Sequence, residues 1–546
     1  MCEPSDILVY RSAIITGGRD LAGVASAIYI AGDTPPEIRI HIASPQDTRD
    51  TPDLHTYNQR VVHHHDAPLD AVAPSVDNVA RLTHSTNPTS KMYWFRQLLL
   101  GLFSLELAEA SLQIVPGGTW TASNNEHLQA HGAGVIQVNG TYYLIGEDKT
   151  GGSAFQNVNC YSSPDLVQWT YEGALLSRTT SGDLGPNRVV ERPKVLWNEA
   201  TQKYVLWMHI DSSNYGDAKV GVATGDTVCG KYEYQTSFRP LNHQSRDMGL
   251  FADTDGTGYL LTEDRENGLR ILQLTPDYLS ITASTYLWPD SIEAPALLKL
   301  GGRYYMFGSR LTGWDPNDNV YSTSTALSGP WSAWATFADA GSKTYTSQTT
   351  FVLPLGEDGG AVYLGDRWVS GNLMASTYVW LPLTIEGTSV RMANQVSWLP
   401  NLPPNPNPTN TTTTTPAETT HEGESATYSG STRSVSCASC SGGTAAGYIG
   451  GPSPSGSLTF TDIRSDADAR TTIRLRYVNG DASPRYAGVS VNGGAAQRVA
   501  FLPSGGGPAV SSVHVDLRAG SGNEVVVAGL DGGWAPDVDQ LVVPVS

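Results

Sequence analysis

One pattern recurs five times between residues 134 and 365 and limits what the chain can fold into. It reads apolar strand, turn, then a strand rich in Tyr: GVIQVNGTYYLIG, KVLWNEATQKYVLW, GLFADTDGTGYLLT, ALLKLGGRYYMFG and FVLPLGEDGGAVYLG. Alternation on both sides of a Gly-, Asn- or Asp-containing turn predicts a β-hairpin in each. The second-strand tyrosines Tyr143, Tyr204, Tyr259, Tyr304 and Tyr363 return about every 45 to 60 residues, the period of one blade. Five such units around an axis predict an all-β fold with a five-bladed β-propeller over residues 111–400. A β-sandwich would also supply hairpins, but not their repetition.

The register of the hairpins points to chemistry. Four residues before an inward apolar residue of each first strand stands a polar side chain. His131 precedes Val135, Glu191 precedes Val195, Asp247 precedes Phe251, Glu293 precedes Leu297 and Gln348 precedes Val352. First strands line the channel of a propeller, so these five positions are expected to converge at one mouth. Carboxylates around a neutral ligand suit glycosidic bond cleavage. One of them keeps a proton for the leaving oxygen, because like-charged neighbours and burial raise its pKa. Water then attacks the opposite face, with the two groups roughly 6.5–9.5 Å apart in an inverting enzyme. Tyr215, Trp314 and Trp368, in the connecting loops, either stack on sugar faces or pack in the core.

Charge narrows the partners. With 53 acidic and 34 basic side chains the formal net charge is −19, which disfavours nucleic acid and anionic membranes. Only 16% of residues are charged, while Gly (56), Tyr (25) and Trp (13) are abundant, a composition of secreted, turn-rich β proteins that handle sugars. No Walker loop or dinucleotide fingerprint is present, so no cofactor is expected for catalysis.

The ends of the chain read differently. Residues 1–91 show neither helical periodicity nor clear strand alternation and are read as a gene-model extension or disordered. Residues 92–110 join a basic start, the apolar run Leu98 to Leu105 and Ala108-Glu109-Ala110, which describes a signal peptide and a secreted, extracellular protein. In an oxidising compartment Cys437 and Cys440 are expected to form a local disulfide, leaving Cys160 and Cys229 as the other pair. Sequons at Asn139 and Asn410 agree with that route. Residues 401–420, rich in Pro and Thr, read as an extended spacer. Residues 421–546 alternate in β fashion around Gly-rich turns and predict a β-sandwich of jelly-roll type.

At Glu191-Arg-Pro-Lys, Arg246-Asp247-Met and Glu293-Ala-Pro the chain resembles glycoside hydrolase family 43, whose members are five-bladed propellers. HGAGVI, GEDKTGGS, SSPDLVQW, ERPKV, EDRENGLRI, EAPALLK and Ser347-Gln348 are similar to its fungal exo-β-1,3-galactanase (galactan 1,3-β-galactosidase) branch. The resemblance implies Glu293 as general acid and Asp247 as the modulator of its pKa and orientation. Glu191 and Glu147 would bind hydroxyls of a terminal galactose, with Tyr215 and Thr312 as further sugar contacts. The chain departs from the family at His131-Gly132, where most members carry the general-base Asp. The galactanase branch shares that absence. Gln348, through its imidic acid tautomer, is then the substitute base, with Glu191 as the alternative and His131 read as structural.

In the small domain SCASCSGGTAAGYIGG and GGWAPDVDQLVV resemble carbohydrate-binding module family 35. That resemblance implies a structural Ca²⁺ held by Glu422, Glu424 and Asp539, hard oxygen ligands that otherwise read as solvated edge carboxylates. It also implies a sugar-binding loop around Trp534 and Asp537. Together these readings predict a monomeric, secreted, inverting exo-hydrolase that releases galactose from β-1,3-galactan backbones of arabinogalactan. The alternatives are an α-L-arabinofuranosidase or β-xylosidase of the same family, or a catalytically inactive propeller lectin.

Overall fold

The computed structural model describes residues 112–356, 360–400, 402 and 417–545, together with the backbone of three strands nearer the N-terminus. The chain divides into two compact units, Met1–Phe103 and Ser104–Ser546. In the first, strands Val9–Gly17, Leu21–Tyr29 and Arg39–Ile42 form an antiparallel sheet. In sequence these segments show no clear strand alternation. Ala, Ser and Gly dilute the β-branched residues of these segments, so their alternation is faint in sequence. The remainder of 1–91 and the signal-peptide reading over 92–110 lie outside the described residues.

In the second unit each repeated hairpin opens a four-stranded antiparallel sheet in simple meander order. The sheets begin with strands His131–Val138, Arg188–Asn198, Met248–Ala252, Ile292–Leu300 and Gln348–Pro354. Two of the hairpins close with two-residue turns, Asn139-Gly140 (φ 50° and 80°) and Gly301-Gly302 (φ 56° and 73°). Both central residues of such a turn need positive φ, which these residue types tolerate. First strands pack against one another in cyclic order, the fifth returning to the first. No hydrogen-bonded ladder joins one sheet to the next among the described residues; apolar side chains do so instead. Leu206, Met208 and Ile210 meet Val158 and Cys160 between the first and second sheets. Trp207 and Val222 meet Leu250 and Leu272 between the second and third, and Leu261 and Ile271 meet Ile292 and Met306 between the third and fourth. Fully burying each such side chain stabilises by roughly 1.5–3 kcal/mol. Cys160–Cys229 spans two of these sheets, and Cys437–Cys440 closes a local loop.

The C-terminal residues form two facing sheets of six and five strands. Ile473, Leu475, Tyr477 and Leu541 of one pack on Phe460, Val489, Val525 and Val527 of the other. Strand Glu418–Glu422 pairs with Asp537–Pro544, so the domain starts inside the 401–420 segment read as spacer. Its Thr and Glu residues can donate to a ladder, whereas the prolines before them cannot. Residues 403–416 lie outside the described residues. The two domains are docked rather than apart. Thr119 and Ser511 form a parallel bridge, and Gln113 N donates to Thr472 Oγ1 at 2.9 Å. Arg474 reaches Ser397 Oγ at 2.7 Å, and Arg470 Nε reaches Gln168 Oε1 at 2.8 Å.

Candidate active site

The first strands deliver their polar residues by a shared backbone device. Gly132 (φ 56°), Arg192 (φ 52°) and Ala294 (φ 55°), each one residue past a register position, adopt the left-handed region. Pairing slips there by a bulge, between His131 and Gly134, Glu191 and Lys194, and Glu293 and Ala296. A bulge bends the strand and re-aims a side chain, and for a non-Gly residue the conformation costs about 1–2 kcal/mol. Hydrogen bonds from the neighbourhood offset that strain: Ala294 N donates to Asp247 Oδ2 at 3.1 Å, and Gly132 N to Asp366 Oδ2 at 3.0 Å. Ahead of Gln348, four successive residues, Lys343 to Thr346, have φ of 53° to 61°. This left-handed turn is held by Asp318, which accepts from Lys343 N, and by Asn319 Oδ1, which accepts from Thr349 N at 2.7 Å.

These elements enclose a pocket of about 360 Å³ lined by Glu147, Glu191, Asp247, Glu293 and Gln348, with Arg192, Arg265, Tyr215, Trp314 and Trp368. A larger cavity of about 640 Å³ lies farther along the same first strands, but Val135, Val195, Phe251, Leu297 and Val352 make it apolar. The chemistry belongs to the smaller one.

Glu293 is buried, and its Oε1 accepts from Gln348 Nε2 at 2.9 Å. Burial, then the charges of Asp247 and Glu263, push its pKa up to about 9, so the carboxyl holds its proton at neutral pH. Asp247 stays paired with Arg192 Nε at 2.8 Å. The same guanidinium donates to Gln348 Oε1 at 2.7 Å and Thr349 O at 3.0 Å, while Trp368 Nε1 donates to Gln348 Oε1 at 2.9 Å. Two donors on its oxygen and one acceptor for its nitrogen fix which way the Gln348 amide faces.

Glu191 sits in a different field. Its Oε1 accepts from Lys149 Nζ at 3.1 Å and Tyr215 OH at 3.0 Å, and His209 Nδ1 lies 3.4 Å from Oε2. Burial alone would raise its pKa, but Lys149 and His209 hold it far below the carboxylate range. His209 is itself buried, which disfavours its charge, yet Asp211 and Glu191 lift it to about 9. A carboxylate bound to this many donors is a fixed hydroxyl acceptor and a very poor base. Glu147 lies 2.7 Å from Lys149 Nζ and completes this side of the pocket. Trp314 and Trp368 meet edge to face at 5.1 Å above Lys149.

The pocket thus gathers Glu191, Asp247, Glu293, Gln348, Glu147 and Tyr215 as the sequence predicts. His131 does not join them. It is wholly buried, stacked on Tyr378 and bonded to Asp366 Oδ1 at 2.9 Å, so the five-membered polar ring expected from register has four members. Its cross-strand partner Glu147 supplies that sheet's carboxylate. Thr312 also stays out of the pocket lining: its hydroxyl donates to Asp315 O at 2.5 Å within its own loop. Lys149, Arg192, Glu263 and Arg265 were missed, although each stands inside a quoted motif (GEDK, ERPK, EDRENGLRI).

In the small domain Trp534 is 41% exposed and meets Tyr448, itself 44% exposed, edge to face at 5.8 Å. Asp537 lies half-buried beside Gly447. Glu422 Oε2 and Glu424 Oε2 are buried without a hydrogen-bond partner among the described residues. Asp539 accepts from Ser441 N at 2.9 Å and faces Arg476 Nε at 3.1 Å. Burial and the two nearby glutamates raise its pKa. Orphaned oxygens and excess negative charge fit a hard cation such as Ca²⁺.

Residues 129–348 match the profile of glycosyl hydrolases family 43. An exo-β-1,3-galactanase from Phanerochaete chrysosporium, solved with galactose, is 36% identical with a TM-score of 0.56, over 79% of this chain and 99% of that one. A variant of that enzyme solved with β-1,3-galactotriose matches equally over 100% of its length. The exo-β-1,3-galactanase of Clostridium thermocellum is 27% identical with a TM-score of 0.51, over 74% of this chain and 100% of that one. Residues 457–543 match the profile described as alpha-galactosidase, CBM13 domain. The small domain is therefore CBM13-like, which corrects the resemblance to module family 35; Gly-rich turns between short apolar strands are common to many sandwiches. No curated protein matches the sequence.

Proposed function

Because the chain belongs to glycosyl hydrolases family 43 and is a glycoside hydrolase, we propose that it is an exo-acting, inverting enzyme that releases galactose from β-1,3-galactan backbones of arabinogalactan. On this reading the five sheets are the blades of a five-bladed propeller, and the pocket at their mouth takes the terminal galactose. One observation carries the assignment. Glu293 is a buried carboxyl in direct contact with Gln348, its pKa pushed up to about 9 by burial and the charges of Asp247 and Glu263, in a pocket whose first-sheet register holds His131 where most family members carry a general-base Asp.

Glu293 donates its proton to the glycosidic oxygen, and Asp247, anchored by Arg192, sets its orientation through the Ala294 amide. Gln348 orients the attacking water. Its contact of 2.9 Å with Glu293 is far shorter than the roughly 6.5–9.5 Å that separates an inverting pair. Substrate must therefore part this hydrogen bond on entering. Glu191, held ionic by Lys149 and His209, and Glu147, beside the same ammonium, accept hydroxyls of the same sugar, and Trp314 and Trp368 give it an apolar face. The small domain binds carbohydrate around Trp534 and Asp537 and holds Ca²⁺ through Glu422, Glu424 and Asp539. The protein acts outside the cell as a monomer.

The test is incubation with β-1,3-galactan, arabinan and xylan. Galactose alone, appearing first as the α-anomer by proton NMR, is the expected product. Arabinose or xylose would move the chain to the arabinofuranosidase or xylosidase reading, and β-galactose would overturn inversion.

A further inference from the structure

Glu263 belongs to none of the roles above, yet it stands against the acid. It lies on strand Gly258–Asp264 of the third sheet, is 2% exposed, and has its Oε2 buried with no hydrogen-bond partner among the described residues. One carboxylate oxygen each of Asp247, Glu263 and Glu293 come within 4.8 Å of one another. The backbone clamps two of the three together: Glu263 N donates to Asp247 O at 2.9 Å, and Arg246 N donates to Glu263 O at 3.0 Å.

Three carboxylates this close cannot all be ionised, so a proton must reside on one of them. The distribution of cations decides which. Arg265 Nε bonds Glu263 Oε1 at 2.6 Å but leaves its Nη2 3.7 Å from Glu293 Oε2. Arg192 holds Asp247. Arg246 adds positive charge on the Glu263 side, and the residue facing Glu263 from the next strand, Leu269, is apolar. Glu293 is left with the amide of Gln348 and, at the longer distance of 3.7 Å, a share of the Arg265 guanidinium. Burial raises both glutamates, but only Glu293 has the other two as charged neighbours.

We propose that Glu263 is a positioning residue: the fixed anion, clamped by Arg265, that keeps the transferable proton on Glu293. It touches neither substrate nor the reacting atoms. The inference rests on the role of Glu293 as acid given above, and it predicts two substitutions of opposite sign. Glu263→Gln removes a negative neighbour, so the alkaline limb of the kcat/KM profile moves down by about one pH unit or more. Arg265→Gln removes the cation facing both carboxyls, so the limb moves up. Glu263→Asp, which keeps the charge, leaves the limb near its wild-type position.

The measurement is kcat/KM on β-1,3-galactooligosaccharides from pH 4 to 10, joined to an infrared titration of the buried carboxyl band in substrate-free protein. A uniform loss of activity in Glu263→Gln with an unmoved limb would reduce Glu263 to packing and overturn the inference. If Glu263→Gln fails to fold, Arg265→Gln decides alone, and an unmoved limb there overturns it equally. If the wild type releases no galactose, the proposed function fails, while the infrared titration still reports whether Glu263 sets the protonation of Glu293.

Discussion

Glu293→Gln separates acid catalysis from every other use of this side chain. The amide is isosteric, and its oxygen can still accept from Gln348 Nε2, which now meets Glu293 Oε1 at 2.9 Å. The fold and pocket should therefore survive, and only the proton is lost. An ordinary carboxyl with pKa 4.5 would be only about 3% protonated at pH 6, whereas at about 9 Glu293 is protonated almost completely. Burial and the anionic neighbours thus raise the supply of acid by a factor of about 30 at that pH. Removing a general acid lowers rates by about 10²–10⁴-fold. We expect that loss in kcat on β-1,3-galactan, with KM little changed. An aryl β-galactoside whose leaving group needs no proton should be cleaved by the variant at near wild-type rate. The alkaline limb near pH 9 should vanish from its profile on that substrate. The linkage sign gives a second readout. The raised folded pKa means that protonated Glu293 contributes stability fully below pH 4.5, lost as pH rises through about 9. Glu293→Gln should therefore raise Tm more at pH 8 than at pH 5. Full activity of the variant on galactan, or an alkaline limb that persists, would refute the assignment.

Three further outcomes are expected. Arg192→Lys loses the fork that serves Asp247, Gln348 and Thr349 together; charge-assisted hydrogen bonds are worth about 1.5–3 kcal/mol each, so kcat/KM should fall about 10²-fold in a folded protein, checked by steady-state kinetics and circular dichroism. His209, raised to about 9 between Glu191 and Asp211, contributes stability in full below pH 6.5 that is lost as pH rises through about 9. Tm should therefore decline less steeply from pH 7 to pH 10 in His209→Asn than in the wild type, by scanning calorimetry. Added Ca²⁺ should raise Tm and a chelator lower it, and Glu424→Gln should remove the response, because it takes away one of the orphaned buried oxygens.

Much of this was legible along the chain because hairpins are local. The turn residues and alternation mark all five, and the offset from first-strand apolar residues finds Glu191, Asp247, Glu293 and Gln348. What escaped depends on long-range partners. Nothing near His131 announces that Asp366, 235 residues later, will draw the imidazole out of the pocket. Lys149 and Arg192 read as motif neighbours until the fold sets them against Glu191, Asp247 and Gln348. Glu263 lies on a second strand, outside the register used. Thr312 was placed by likeness alone, and its loop uses the hydroxyl internally. The faint strands of residues 9–42 carry too little apolar contrast to stand out.

The docked arrangement of the two large-unit domains alters what the Pro/Thr segment can do. A module on a free tether samples many orientations, and the length of its linker sets its effective concentration at a second site. Here the bridge between Thr119 and Ser511 and the Arg474 and Arg470 contacts fix the orientation first. On the proposed reading, in which Trp534 binds sugar, it and the catalytic pocket then behave as two points on one gauge. A polysaccharide whose natural curvature fits the span gains from both contacts with no further loss of chain entropy. One that does not fit meets a single site, however long the spacer is made.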